Sequence, residues 1–458
     1  MAQFKATPTR KPRASLAPAA LLLAMLVAPM ASDAQVPGRY EGAASCAGST
    51  CHGRSEGDGK VVRQDELRSW QEPSSKTGAH SRAFDALAST RGQRIAADLG
   101  LGKAVSAPAC LGCHTTNAPA GQRGDRFLLS DGVTCESCHG AASGWLSSHY
   151  AVPATHGRNI ANGLVPLERA QTRASVCLDC HYGSEKPGQF VTHSMMAAGH
   201  PRLSFELDLF SALQQHHDVD SDYHQRKGRV DSVGLWAVGQ AEAVRRAATL
   251  FAKPALAERG LFPELYFFDC HSCHRAITDK PAARRSFEVN PGRPIAFGYP
   301  PFNDENIIML SAVARVLAPG QAAQFDRASR SFHAAMGKGR PEAIATAAQL
   351  RAAAGALSNT LAARAYSGST AFDVIAAIST KAVSPRFTDY AGSVQAVMAI
   401  DTMLNALVRE GRITIGAAAG IRANINRAYG AVATPQTYRP ATFRSALRQA
   451  SASIGAVR

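Results

Sequence analysis

This chain of 458 residues has no solitary cysteine: all ten fall in five close pairs, and none occurs beyond Cys273. Cysteine chemistry is therefore confined to residues 46–274. From Pro291 onward histidine is nearly absent as well, with His333 alone. Long apolar runs are missing after Val27, because Arg and Asp interrupt every Ala-rich stretch, so nothing there reads as a membrane span. No cysteine lies near residue 34, which argues against a lipid-anchored N-terminus.

What is present is one small pattern used five times. The pairs read Cys46-Ala47-Gly48-Ser49-Thr50-Cys51, Cys110-Leu111-Gly112-Cys113, Cys135-Glu136-Ser137-Cys138, Cys177-Leu178-Asp179-Cys180 and Cys270-His271-Ser272-Cys273, and a histidine follows each at once. C-x-x-C-H is the attachment signature of c-type haem. Two sulfurs about one helical turn apart meet the two vinyl groups of one porphyrin, and the next residue is held on the iron as proximal ligand. Zinc sites also use C-x-x-C pairs, but they would combine two by two, leave one pair over and not account for the histidines. Disulfides suit an exported chain and fail on the same histidines. The expected cofactor is haem c, five covalently attached groups with their iron. His52, His114, His139, His181 and His274 are the expected proximal ligands. The first motif has four intervening residues instead of two, so its loop must bulge to reach both vinyls.

The N-terminus reads as an export signal. Lys5, Arg10, Lys11 and Arg13 precede the apolar stretch 16–27, and Ser32-Asp33-Ala34 offers small residues for cleavage before Gln35. Pro18 and Pro29 bracket too short a span for a comfortable transmembrane helix. The expected location is periplasmic. Removing residues 1–34 takes four positive charges and one negative from the formal +15 and leaves +12. Ten haem propionates offset most of that, so nucleic-acid binding is not expected, and many cations have propionates to pair with.

Three segments are expected: a signal peptide at 1–34, a pentahaem domain at 35–290, and an α-helical domain at 291–458. The five motifs span 229 residues, about 46 per haem, too little for a conventional apolar core around each. The fold class is therefore mainly α: short helices and long loops around stacked haems, then a helical bundle. The second and third motifs start 25 residues apart, which makes their haems near neighbours. Helical patterns occupy 304–317, 322–337, 341–366, 371–383, 389–411, 416–430 and 440–454, with Gly, Pro and Ser/Thr as punctuation. Val394, Val397, Met398, Ile400, Met403, Leu404 and Leu407 recur at helical spacing and form a buried face, so the two methionines read as core. A further helix at 230–253, with Trp236, Val238, Ala241, Val244 and Leu250 apolar, is expected to line the fifth haem. Residues 381–458 carry ten Lys/Arg against three Asp/Glu. That end is either a docking face for an acidic partner or an anionic membrane, or a solvated helical face.

The sixth iron ligand decides what each haem does: a second imidazole suits electron transfer, an open site admits substrate. Ten further histidines are available. His271 lies inside an attachment loop and His333 in the bundle, so both are set aside. His193 and His200, seven residues apart, lie on one helical face and can serve two haems. His216, His217 and His224 flank Asp218, Asp220 and Asp222, an acidic segment that reads as exposed: ligand donor, proton route or plain surface. His156 is open between ligand and solvent. Glu136 and Asp179, inside attachment loops, either shift potentials negatively or face solvent.

Residues 46–207 resemble the multihaem cytochromes of the cytochrome c-554 family, periplasmic electron carriers of bacterial nitrogen oxidation. The resemblance rests on Trp70 followed by His80-Ser81-Arg82-Ala83-Phe84, and on Gly132-Val133-Thr134-Cys135-Glu136-Ser137-Cys138-His139-Gly140 with His149 ten residues later. It implies distal ligation by His80 and His149, and the segment Ala198-Gly199-His200-Pro201-Arg202-Leu203-Ser204-Phe205-Glu206-Leu207 makes His200 a third distal candidate beside His193. It also implies that the second haem, at Cys110 and His114, is the one without a protein distal ligand. The fifth motif and the C-terminal helices depart from the family.

The expected function is a carrier passing single electrons between redox protein partners through mostly bis-His haems. The alternative is a reductase or oxidase of small nitrogen or sulfur compounds with one open haem, at Cys110 and His114. Pentahaem nitrite reductases typically mark their catalytic haem with lysine in place of the motif histidine, and no such motif occurs here.

Overall fold

The helix Ser232–Phe251 is apolar on nearly every side, and 17 of its 20 residues are buried, so it can only be an internal element. Asp231 caps it, accepting from Gly234 N–H. The helices Glu305–Leu317, Arg340–Ala362 and Tyr390–Arg409 pack around it, and Trp236, Val238 and Leu250 have no exposed surface. In the computed structural model the described residues are 38–57, 62–75, 77–229, 231–257, 263–274, 292–296, 298–382, 384 and 389–458. The proposed signal peptide and residues 275–290 lie outside them. From Gly38 to Arg458 the chain is one compact unit, mainly α, with no named strand among the described residues and two isolated bridges, Tyr40 with Arg123 and Phe268 with Phe302.

The chain has two textures. Residues 38–229 form short helices joined by loops, whereas seven longer helices follow from Glu305: Glu305–Leu317, Pro319–Met336, Arg340–Ala362, Gly368–Ala382, Tyr390–Arg409, Ile415–Ala431 and Pro440–Gly455. These are the seven segments expected from periodicity, with starts that differ by a few residues. Pro319 opens its helix earlier than the apolar pattern because its fixed φ and missing N–H suit a first helical position. Met398 and Met403 are buried core, as their spacing implies. Tyr390–Arg409 has the length and hydropathy of a membrane span, but 89% of that window is buried within the protein. It is a core helix.

Several buried polar groups in this half are matched to one another. Gln240 Oε1 accepts from Asn306 Nδ2 at 2.8 Å, and Gln240 Nε2 donates to Gln395 at 3.2 Å. Arg293 Nη2 donates to Asp304 at 2.7 Å and to Asp389 at 3.1 Å, while His333 Nε2 lies 3.0 Å from the other Asp304 oxygen. His333 is therefore held by the bundle's ionic network.

The 232–251 helix reaches the motif region at two places. Arg246 Nη1 donates to Asp179, within the fourth motif, at 2.6 Å. Phe251 meets Phe267, three residues before the fifth motif, with ring centres 5.5 Å apart. Its main motif neighbour is thus the helix Ala170–His181 of the fourth motif rather than the fifth. The helix Ala170–His181 buries Ala174 and Leu178 in the same apolar core as this helix, whereas the fifth motif sits on a single 3₁₀ turn, Cys270–Ser272.

Phe332 packs without exposure between Phe302 and Phe251, with ring centres at 4.8 and 5.4 Å. Phe332→Ala is expected to lower unfolding free energy by about 3–5 kcal/mol, and Phe332→Leu by less than about 1.5 kcal/mol. Guanidinium denaturation followed by far-UV circular dichroism measures both.

Candidate haem-binding site

Local backbone geometry explains why these spacings work. In the helices Pro108–His114, Cys135–His139 and Ala170–His181 the motif histidine is the last residue. Positions i, i+3 and i+4 then share one face, so both sulfurs and the imidazole point the same way. The first motif lacks such a helix. Its wider loop closes instead with His52 N–H donating to the Cys46 carbonyl at 3.2 Å and Cys51 N–H to Gly48 at 2.8 Å. Gly53 makes that closure possible, because a Cβ there would sit 2.0 Å from the Ala47 oxygen. The fifth motif turns with His274 N–H on the Cys270 carbonyl at 2.8 Å.

Every motif histidine faces the ring of another histidine. Ring centres are 6.3 Å apart for His52 and His149, 6.3 Å for His114 and His200, and 6.0 Å for His181 and His80. His274 and His193 stand at 6.2 Å. His139 faces two rings, His217 at 6.1 Å and His216 at 6.3 Å. A metal-bound imidazole nitrogen lies about 2.0 Å from its ion and about 1.1 Å from its ring centre, so two axial imidazoles on one ion have centres about 6.2 Å apart. The observed separations match that value, whereas the neighbouring rings of His216 and His217 stand 4.0 Å apart.

The rings are aimed by their Nδ1 atoms. His114 Nδ1 lies 2.6 Å from the Ala83 carbonyl, His200 Nδ1 2.8 Å from the Pro201 carbonyl, and His216 Nδ1 2.9 Å from that of Gln214. His149 Nδ1 pairs with the Leu146 carbonyl. A carbonyl oxygen only accepts, so Nδ1 carries the proton and Nε2 keeps the lone pair for iron. His52 Nδ1 donates to a carboxylate, Glu66, at 2.9 Å. Burial pushes His139 down to about 3 and His181 and His216 to about 4, which keeps these rings neutral.

The segment 80–84 serves two motifs: His80 faces His181, and the Ala83 carbonyl orients His114. It is pinned in turn by Val133 N–H on the His80 carbonyl at 3.0 Å, and Trp70 Nε1 donates to the Val133 carbonyl at 3.1 Å. Glu136 is buried rather than solvent-facing. Its carboxylate accepts from the backbone N–H groups of Glu41, Gly42 and Ala142, each at 2.8 Å, and so clamps the approach to the first motif onto the third. Asp179 is tied to Arg246 and to Lys186 at 2.5 Å. Both carboxylates inside attachment loops thus have structural partners.

The motifs touch across the fold. The Glu136 carboxylate inside the third motif holds the Glu41 and Gly42 amides just ahead of the first, and Gln189 Nε2 donates to the Gly112 carbonyl of the second motif at 2.8 Å while lying 3.6 Å from Cys180 Sγ of the fourth. First meets third and second meets fourth. The second and third are joined through Thr116, which lies 2.8 Å from the Thr134 hydroxyl and 2.5 Å from that of Ser137. A cavity of about 2670 Å³ runs along the first four motifs, against roughly 300–1,000 Å³ for a cleft holding one small molecule. Two buried nitrogens without partners, Trp145 Nε1 and His224 Nδ1, belong to residues lining it, and such orphans fit acceptor oxygens of a bound group. Ring spacing, cavity size and orphaned donors all fit several haems.

The sequence leaves His216 and His217 open between ligand donor, proton route and surface, and the structure turns both rings toward His139 while Asp218 and Asp220 stay exposed. The turn after the helix Leu207–Leu213 carries the pair there, and Gln214 Nε2 fixes it by donating to the Thr77 carbonyl at 3.1 Å. No local signal marks this, because the segment is distant in sequence from the third motif. His156 is paired with Glu168 at 2.8 Å and with Lys227, not with another histidine. His271 lies 3.1 Å from the Pro435 carbonyl and against the Tyr438 ring.

Residues 45–140 match the model of one protein family, described as cytochrome c554 and c-prime. No curated protein and no solved structure matches the chain. The family match implies a multihaem c-type cytochrome of electron transfer, with haem c bound covalently.

His200→Ala removes the ring facing His114. The ferric holoprotein is then expected to gain one high-spin component in its EPR spectrum, and added imidazole to restore the low-spin form.

Proposed function

We propose that this chain, which belongs to the cytochrome c554 and c-prime family through residues 45–140, is a periplasmic pentahaem cytochrome that passes single electrons between redox protein partners. One observation carries the reading: each of the five motif histidines has a second imidazole at 6.0–6.3 Å. Bound haem supplies a one-electron Fe(III)/Fe(II) couple, and two imidazoles keep its iron low-spin with little rearrangement. The cysteine pairs would hold the macrocycles, with His52/His149, His114/His200, His139/His217 or His216, His181/His80 and His274/His193 as axial pairs.

The chain's own task is to present these rings and keep them still. Carbonyl and carboxylate acceptors on Nδ1 fix tautomer and direction. Contacts between motifs, Glu136 on the amides just ahead of the first motif and Cys180 Sγ 3.9 Å from the Gly112 carbonyl, set attachment points side by side, as a relay requires. The His200 ring opposite His114 supports a filled sixth position at the second motif, and so favours carriage over chemistry at an open iron. Export, which covalent attachment outside the cytoplasmic membrane requires, is supported by the basic and apolar N-terminal sequence. The basic 381–458 region offers a face for an acidic partner or an anionic membrane.

Intact mass of the purified protein, with EPR of the same ferric sample, tests this. Five covalent haems with low-spin signals only are the expected result. A high-spin component in the unmodified protein would return the open-site enzyme, and a count of four would remove the four-residue first motif or the fifth from the reading.

A further inference from the structure

Glu66 opens the short helix Glu66–Gln71 that follows the first motif, and it is only 6% exposed. Its two oxygens have different neighbours. Oε2 accepts from Nδ1 of His52 at 2.9 Å. Oε1 has no hydrogen bond of ordinary geometry and faces Nδ1 of His217 at 3.5 Å. His52 is the motif histidine of the first site, and His217 stands 6.1 Å from His139, the motif histidine of the third. One buried carboxylate therefore sits behind two imidazoles that serve different irons.

The competing ring at the third site, His216, has a weaker partner. Its Nδ1 meets the neutral carbonyl of Gln214 at 2.9 Å. A carboxylate is the stronger acceptor. By drawing the Nδ1 proton toward itself it gives the ring imidazolate character, makes Nε2 a better donor and stabilises ferric over ferrous iron.

We propose that Glu66 is a shared positioning residue for two haems: it selects His217 over His216 as the sixth ligand opposite His139, and it lowers the reduction potentials of the first and third haems together. The inference rests on the haem assignment of these two motifs. It makes the pair respond to a single side chain, although their first cysteines, Cys46 and Cys135, lie 89 residues apart.

The test uses the holoprotein, with haem located by peptide mass and midpoints read by spectropotentiometric titration. Glu66→Gln is expected to raise two midpoints, each by at least about tenfold in the Fe(III)/Fe(II) equilibrium, or about 59 mV for a one-electron couple, and to leave the others in place. Glu66→Asp keeps the charge at shorter reach and should move the same two by less, which also covers the case in which Glu66→Gln does not load. His217→Ala is expected to change the EPR g-values of one haem, and His216→Ala to change none. Full loading with fewer than two shifted midpoints, or a spectrum altered by His216→Ala and not by His217→Ala, overturns the proposal alone. Haem missing from the first or third motif of the unmodified protein overturns the assignment beneath it and the proposal with it.

Discussion

Imidazole rings held about 6 Å apart, facing each other across space that no protein atom of either ring fills, are the constraint on which the rest of this structure depends. Two such rings gain only about 0.5–1.5 kcal/mol from each other at that distance. Something else must hold them there, and the polypeptide between the motifs does so with backbone hydrogen bonds and buried carboxylates. Glu136 clamps three backbone amides, Thr116 links the second motif to the third, and Trp70 and Val133 fix the loop that carries His80. An apolar core is not the means. The independent apolar cluster in the first motifs' neighbourhood is small, built on Leu87, Ala96 and Ala104.

The other half of the chain has the opposite economy of structure. Its large core runs from Ala174 to Ile454 and is continuous. The helix Ser232–Phe251 lies inside it, and the fourth motif is bolted to that helix by Asp179 and Arg246. A loop-rich region that cannot close around its own apolar residues thus leans on a rigid helical body, and the fourth motif is tied to the second through Gln189, whose Nε2 reaches both the Gly112 carbonyl and Cys180. Buried charges in the helical body follow the same logic of pairing: Arg293 lies between Asp304 and Asp389, and His333 completes the set.

Acceptor type is the remaining lever. Most of the aimed imidazoles rest on backbone carbonyls, which orient a ring and leave it neutral. His52 rests on a carboxylate, and His217 faces the same one. Under the proposed bis-imidazole assignment, differences among the sites arise behind the ligands rather than at them.

The local sequence determined a good deal by itself. Cysteine and histidine spacing located the five motifs, because one helical turn is a local geometry that two cysteines and a histidine at i, i+3 and i+4 express directly. Helical periodicity located the seven C-terminal helices to within a few residues, erring at starts such as Pro319, where the chain turns before the apolar pattern begins. Tertiary structure alone decided which ring faces which. His80 meets His181 a hundred residues on, and His216 and His217 meet His139 from a segment whose acidic residues looked like open surface. It also decided that Glu66 stands behind two of them. Opposition across a gap depends on where two distant backbones are placed, and no periodicity within either segment records it.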